Sequence, residues 1–179
     1  MVCGGRETEP AYISGLKRHL RNAAILIDVV VRDKSPSQIV RYALKKALAA
    51  SDLYDEVWCV VDVDEFTDLD RAVRLARDST TTALKAAVVV SNPCFELWLL
   101  LHFTDHRRQI GGYTQLKPLL RRQVPGYDKH LIDFAADYAA TCPDAMRRAM
   151  ALDPTGEAIH LNPSTNMWRL VQAMGWTDT

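Results

Sequence analysis

Residues 56–65 constrain the fold of this 179-residue chain more than any other stretch. They contain the unbroken apolar run Val57–Val61, which is followed by two aspartates in alternate positions, Asp62 and Asp64. A short apolar run with helical patterns on both sides predicts a central parallel strand that is buried on both faces. Ligands of open α/β sheets bind beyond the carboxyl ends of such strands, and both aspartates fall at that edge.

The spacing of Asp62 and Asp64 bears on what this edge binds. Residues two apart on an extended chain point the same way. Two converging carboxylates repel each other unless a cation or a proton lies between them. A hard cation such as Mg²⁺, which prefers oxygen ligands, satisfies such a pair. The alternative is that both are surface aspartates that cap the next helix, and the stretch alone leaves both interpretations open.

The rest of the first half alternates between helical and strand patterns, which predicts an α/β fold. Three helices are predicted: Thr8–Leu20, a helix that starts at the capping box of residues 35–38 and runs to Leu48, and Leu69–Arg77. Two further strands are predicted at Ala24–Val31 and Ala86–Val90. Beyond residue 91 only helical patterns follow, over residues 91–103 (capped by Asn92, with Pro93 first), 113–122, 129–139, 144–151 and 164–174. We therefore predict a mainly parallel central sheet flanked by helices. One domain is expected, with an α/β core in residues 1–91 and a mostly helical extension in residues 92–179.

Composition excludes several classes of protein. The formal net charge is zero, so no global basic field indicates nucleic-acid binding. Four separated cysteines without a C-x-x-C motif fit buried free thiols better than disulfides or a zinc site. No signal peptide or 18-residue apolar run is present, and we expect a cytoplasmic protein with no membrane contact. The chain contains neither a P-loop nor a nucleophile elbow.

Three smaller features allow two interpretations each. Glu96 interrupts an otherwise apolar helical stretch, where it needs a partner or else points outward near a helix N-terminus. His102 and His106 are spaced as metal-binding pairs are, although a charge at a helix end is the favoured role. A local basic group contacts phosphates or forms solvated helix faces; it comprises Arg107, Arg108, Lys117, Arg121 and Arg122.

Four motifs together resemble the RloB family. They are residues 3–12 (CGGRETEPAY), 58–66 (WCVVDVDEF), 91–103 (SNPCFELWLLLHF) and 162–165 (NPST), in the family's order and across nearly the whole chain. The S-N-P-x-F-E-L-W block is the most specific of them. The resemblance implies a TOPRIM-type domain. It also implies a gene neighbourhood of restriction or antiphage defence, with a large AAA- or ABC-type ATPase as the expected partner.

The resemblance also implies the residues of a site. In the general TOPRIM pattern, a glutamate after the first strand and a later D-x-D hold Mg²⁺ or Mn²⁺ for phosphodiester cleavage or transfer. Asp62 and Asp64 match the D-x-D, and Glu96 is a further acidic candidate. The matching motifs also supply substrate-binding candidates, namely Arg6, Ser91 and Asn92.

The start of the chain departs from this pattern. Gly4 stands where the TOPRIM glutamate is expected, and Glu7 (catalytic) or Glu9 (metal-binding) would have to replace it. No strand precedes Cys3, which predicts a sheet short of one central strand, as a truncated chain or a misassigned start would leave it. The leading expectation is a metal-dependent nuclease-like subunit of a defence system. The alternative is a catalytically degenerate subunit that recognises a nucleotide, nucleic acid or partner ATPase.

Overall fold

The protein is seen in a computed structural model that describes residues 1–21, 30–31, 34–50, 54–63 and 66–177. In these ranges a five-stranded sheet has the order β2-β1-β3-β4-β5. Its strands are β1 (Val2–Cys3), β2 (Val30–Val31), β3 (Glu56–Asp62), β4 (Lys85–Asn92) and β5 (Ser164–Thr165). The first four are parallel and β5 is antiparallel to β4. The predicted α/β fold with a mainly parallel sheet is confirmed.

Helices cover both faces of this sheet. They are α1 (Thr8–Leu20), α2 (Pro36–Ala49), α3 (Leu69–Asp78), α4 (Glu96–Leu101), α5 (Tyr113–Gln123), α6 (Cys142–Leu152) and α7 (Met167–Ala173). Alternate strand residues point to opposite faces, so Val57, Cys59 and Val61 pack with α2 and α3, while Val60 packs with α1 and the C-terminal helices. No helix within the described ranges has both the length and the apolar character needed to cross a membrane.

Strand β1 corrects the expectation of a sheet short of one central strand. Val2 and Cys3 pair with β2 on one side and with β3 on the other. The Gly4 amide extends the pairing by donating to the Val60 carbonyl at 2.8 Å. A strand of only two residues can form here because β2 and β3 both form hydrogen bonds with its backbone groups. A run this short has no periodicity that a sequence pattern could reveal.

The segment after β4 also differs from its prediction. Asn92 is the last residue of β4 and pairs with Ser164, while its side-chain amide donates to the Ile159 carbonyl at 3.2 Å. It therefore cannot cap a helix, and the Asn92–Pro93 peptide is cis. Helix α4 begins at Glu96 instead, and all six of its residues are buried.

Two further helical predictions are shorter in the structure. In the stretch predicted as helix from Lys129, a π-helical turn begins only at Phe134, where the Asp133 side chain accepts from the amides of residues 135 and 136. A 3-10 turn follows at Ala139–Thr141. The last predicted helix loses its first residues to β5 and begins at Met167. In each case a side chain or a strand forms hydrogen bonds with backbone groups that would otherwise bond within a longer helix.

Beyond the two residues that pair with β5, side chains form hydrogen bonds with backbone groups on the outer edge of β4. The Asn166 carboxamide accepts from the Val90 amide at 2.7 Å and donates to the carbonyls of Val88 and Gly156, at 3.4 and 2.9 Å. The Thr80 hydroxyl contacts both the amide and the carbonyl of Ala86, at 3.0 and 3.2 Å. These two side chains take the place of a neighbouring strand along much of β4.

Candidate functional site

Three carboxylates lie at the carboxyl edge of the parallel strands. Asp62 ends β3, and Glu96 begins α4 four residues after the end of β4. Glu9 lies in the first turn of α1, which follows β1 after a short loop. Because parallel strands all end at this edge, the fold collects side chains from three distant parts of the sequence there.

Glu9 is buried beneath the loop that follows β1. Only 4% of its surface is exposed, and its carboxylate accepts hydrogen bonds from the backbone amides of Gly5 and of Glu9 itself. A Cβ on Gly5 would overlap both carboxylate oxygens of Glu9, so this packing requires glycine at position 5. The pKa of Glu9 is raised to about 7, because burial and the charge of Glu96 raise it more than the backbone amides and Lys129 lower it.

Glu96 is the second buried acid at this edge. It is 7% exposed, and the Tyr127 hydroxyl donates to its Oε1 at 3.3 Å. Burial raises the pKa of the Cys94 thiol well above its usual range, and the charges of Glu96 and Asp62 add to the rise. These electrostatic contacts place Asp62, Cys94, Glu96 and Glu9 in one neighbourhood.

Asp62 also faces a pocket of about 150 Å³ between the sheet edge and α2. Gly4, Lys34 and Phe66 are among its lining residues. A Cβ on Gly4 would lie 3.2 Å from the Ile39 Cδ1 and 3.5 Å from the Val60 carbonyl oxygen. The position where the family pattern expects a glutamate is thus a glycine that faces α2 on the wall of this pocket.

The donor chemistry of these residues fits a hard divalent cation, since every candidate ligand is a carboxylate oxygen. Glu9 and Glu96 are both buried and repel each other, and a nearby cation or a proton offsets that repulsion. The described residues contain no cluster of three or more His, Cys, Asp or Glu with the geometry of a metal site. Asp64, the second residue of the predicted D-x-D, lies outside the described residues.

The remaining predicted site residues occupy other positions. Glu7 pairs with Lys129 at 3.7 Å and with His130 at 2.8 Å. Arg6 is exposed on the loop after β1. Ser91 is buried beside Asp62 in the sheet, and its hydroxyl contacts that of Thr165 at 2.9 Å. Ser91 and Asn92 thus join β4 to the C-terminal segment in this structure.

His102 has a structural role. It is 1% exposed, with its Nε2 2.9 Å from the Tyr12 hydroxyl and its Nδ1 3.0 Å from the Thr141 hydroxyl. Burial lowers its pKa to about 3, so it is neutral at physiological pH. The expected role as a charge at a helix end is therefore wrong for His102. Both of its ring nitrogens also have protein partners, which leaves neither available for a metal pair with His106.

Sequence reasoning missed two residues of the site. Tyr127 follows a Pro-Gly turn and has no periodic neighbours, yet its hydroxyl reaches Glu96. Lys129, two residues later, acts on the charge of Glu9 and lowers its pKa. Both lie in the irregular segment between α5 and the π-helical turn, where hydrophobic periodicity gives no information about which side chains face inward.

Comparison with known proteins shows the family. A family model described as RloB-like protein matches residues 1–174, and the chain belongs to that family. Neither the curated proteins nor the solved structures contain a match to this chain.

Proposed function

We propose that this RloB-like protein is a metal-dependent nuclease-like subunit that acts on nucleic-acid phosphodiesters. The observation that carries the proposal is the burial of Glu9 and Glu96, whose charges interact, at the sheet edge where Asp62 ends β3 and where α/β proteins bind their ligands. Buried acids with a raised pKa are often functional, and burial together with the charge of Glu96 raises the pKa of Glu9.

Asp62 and Asp64 of the D-x-D motif would hold a Mg²⁺ or Mn²⁺ ion, with Glu9 or Glu96 as a further ligand. When bound, such an ion would supply charge stabilisation at the scissile phosphate and would activate a water molecule. Tyr127 orients Glu96 through its hydroxyl, and the amides of Gly5 and Glu9 orient Glu9. These second partners fix the direction in which each carboxylate presents its free oxygen.

The setting of this activity comes from the family resemblance. We place the protein in a restriction-linked or antiphage defence system in the cytoplasm, with an AAA- or ABC-type ATPase as its partner. The formal net charge of zero supports a division of labour in which a partner provides part of the affinity for phosphates.

A second candidate function is a degenerate binding subunit that recognises a nucleotide, nucleic acid or the ATPase without cleaving anything. Two observations favour it. Gly4 occupies the position of the expected glutamate, and the described residues hold no three-acid cluster with metal-site geometry.

Titration calorimetry separates the two functions. We expect Mn²⁺ and Mg²⁺ to bind the wild-type protein, and expect Asp62→Asn and Glu96→Gln to weaken that binding by tenfold or more, because each removes a charged ligand. Glu157→Gln is the matched control, since it removes one exposed carboxylate from another loop. Metal-dependent cleavage of labelled DNA or RNA should disappear in the same two variants and persist in the control.

Circular dichroism establishes that each variant is folded before the comparison. A folded wild-type protein that binds neither ion, cleaves no nucleic acid and still binds a nucleotide or nucleic acid would exclude the nuclease and support the binding subunit. Cleavage that survives Asp62→Asn unchanged would contradict the assignment of this acidic edge.

A further inference from the structure

Two lysines converge on one tyrosine beside the acidic edge. The Lys117 ammonium lies 5.5 Å from the centroid of the Tyr113 ring, and the Lys129 ammonium lies 5.9 Å from the same centroid. Lys117 is one helical turn from Tyr113 in α5, whereas Lys129 comes from the segment after that helix. We call Lys117 and Lys129 the lysine pair.

The charges of this pair are only partly compensated within the protein. Lys129 lies 3.7 Å from a carboxylate oxygen of Glu7, which His130 also contacts at 2.8 Å. Lys117 has no carboxylate within salt-bridge distance among the described residues. The ring attracts both ammonium groups, but the two like charges repel each other, so an anion bound beside them would be favourable.

Lys129 relates the lysine pair to the acidic residues. Lys129 lowers the pKa of the buried Glu9, and Glu7 joins Lys129 to the first turn of α1, in which Glu9 lies. On the other side, Arg121 of α5 donates to the Tyr127 carbonyl at 3.5 Å, and the Tyr127 hydroxyl reaches Glu96. Cations thus border the carboxylates on the side of α5 and the segment that follows it.

We propose that the lysine pair on Tyr113 binds the phosphate backbone of a single-stranded nucleic acid and holds it against the edge that carries Glu9 and Glu96. This inference rests on the proposed function, because it names the substrate class of the same site. Carboxylates repel a phosphodiester, and cations next to them offset that repulsion where the strand arrives.

The size of the patch favours a single strand over a duplex. In a chain of zero net charge, a few cations can neutralise only a few phosphates. A duplex presents one charge per about 1.7 Å of its axis and is too stiff to turn away from the nearby acids. A single strand is flexible, so it can place a few phosphates on the lysines and direct the next one towards the carboxylates.

Fluorescence anisotropy with labelled twelve-residue oligothymidine and oligouridine tests the proposal on the full chain, in EDTA and again in Mn²⁺. We expect Lys117→Ala/Lys129→Ala to weaken binding tenfold or more at low salt. The slope of log affinity against log salt should fall by about 0.7 for each lysine, because each contact to a single strand releases about that many counterions. Lys45→Ala/Arg74→Ala removes two exposed charges from α2 and α3, on the opposite face of the sheet, and should bind as the wild type does.

The proposal fails if the wild-type protein does not bind either oligonucleotide, if the control double variant loses as much affinity as the lysine variant, or if an equal length of duplex competes as well as the single strand. Its failure is distinguishable from that of the proposed function. If the lysine variant cleaves as well as the wild type in the presence of metal, the nuclease function stands and the proposed role of the lysine pair is contradicted. If binding depends on the lysines but no cleavage occurs, the role of the lysine pair stands and the nuclease function is contradicted.

Discussion

At the scale of single residues, Glu9 and Glu96 determine the electrostatics of the candidate site. Both are nearly inaccessible to water, and each has a hydrogen-bond donor that fixes it, the backbone amides for Glu9 and Tyr127 for Glu96. Burial and mutual repulsion both favour the protonated form of Glu9. Near neutral pH the protonated and ionised forms of Glu9 are therefore both populated.

The pH dependence of stability should reveal the ionisation of Glu9. The pKa of Glu9 is raised from 4.5 to about 7 in the folded state, so between these values the folded protein binds more protons than the unfolded chain. In metal-free buffer the free energy of unfolding should fall as pH rises through this window, by on the order of 3 kcal/mol, because one pKa unit corresponds to about 1.4 kcal/mol. In Glu9→Gln this part of the pH dependence should be absent when urea unfolding is measured from pH 4.5 to 7.5. Equal slopes in the two proteins would show that Glu9 ionises normally in the fold.

The sequence was more informative about the acids of the candidate site than about their surroundings. Asp62 could be selected at a strand end and Glu96 in an apolar helical stretch, whereas Glu9 was selected only as a replacement for the glutamate that the family resemblance implies at Gly4. The neutral, buried His102 and the hydroxyl of Tyr127 could not be foreseen, because their partners are between 31 and 90 residues away. A histidine near a helix end has the same sequence signature whether it faces solvent or the core.

At the scale of secondary-structure elements, a hydrogen bond between side chains links the starts of α2 and α3. The Ser35 hydroxyl donates to the Asp68 carboxylate at 2.6 Å, and the Ser37 amide donates to the same oxygen at 3.2 Å. Desolvation opposes ionisation of Asp68, but these donors prevail and lower its pKa. The capping box predicted at Ser35 and Gln38 is present as well, so α2 has a doubly fixed N-terminus next to the Gly4 pocket.

Removing this link should destabilise the protein measurably. We expect Asp68→Ala to lower the free energy of unfolding by about 1–2 kcal/mol, because it removes the acceptor for both donors at the start of α2. Asp78→Ala, at the exposed end of the same helix α3, is the control and should change stability by less than about 0.5 kcal/mol. Denaturant unfolding of the three proteins measures both values, and indistinguishable values for the two variants would contradict the role of Asp68.

Elements with a long amphipathic repeat were predictable, and short ones were not. The bounds of α1 and α3 were predicted to within one residue at each end, and α2 began where its capping box indicated. The two-residue strands β1 and β5 carry no period of their own, and α4 starts late because Asn92 pairs within the sheet. Strand pairing between distant residues decided these bounds, and a single sequence contains no direct record of it.

At the scale of the whole molecule, the C-terminal half is joined to the sheet through Asn166. Its carboxamide bonds three backbone groups, on β4 and on the loop containing Gly156, and it is 3% exposed. The same loop is ordered by the buried Asp153, whose carboxylate accepts from the amides of residues 156, 157 and 158. Two polar side chains thereby connect the predicted core and its helical extension into one hydrogen-bonded unit.

Asn166→Ala should be among the most destabilising single substitutions in this part of the chain. It leaves the Val90 amide and the Gly156 carbonyl without their partners in a buried place, and we expect a loss of about 3 kcal/mol. Gln172→Ala on the exposed surface of α7 should cost less than about 0.5 kcal/mol. Thermal unfolding with both variants measures the difference, and a small effect of Asn166→Ala would show that water replaces its side chain.

The occupied edge of β4 has a consequence for assembly. Proteins often associate by adding a strand to the open edge of a neighbour's sheet, with main-chain pairing that is indifferent to sequence. Thr80 and Asn166 already hold the groups at Ala86, Val88 and Val90 that such an added strand would need. Any chain that docks on this side of the molecule must therefore be recognised through side chains, so contacts there depend on the identity of the partner.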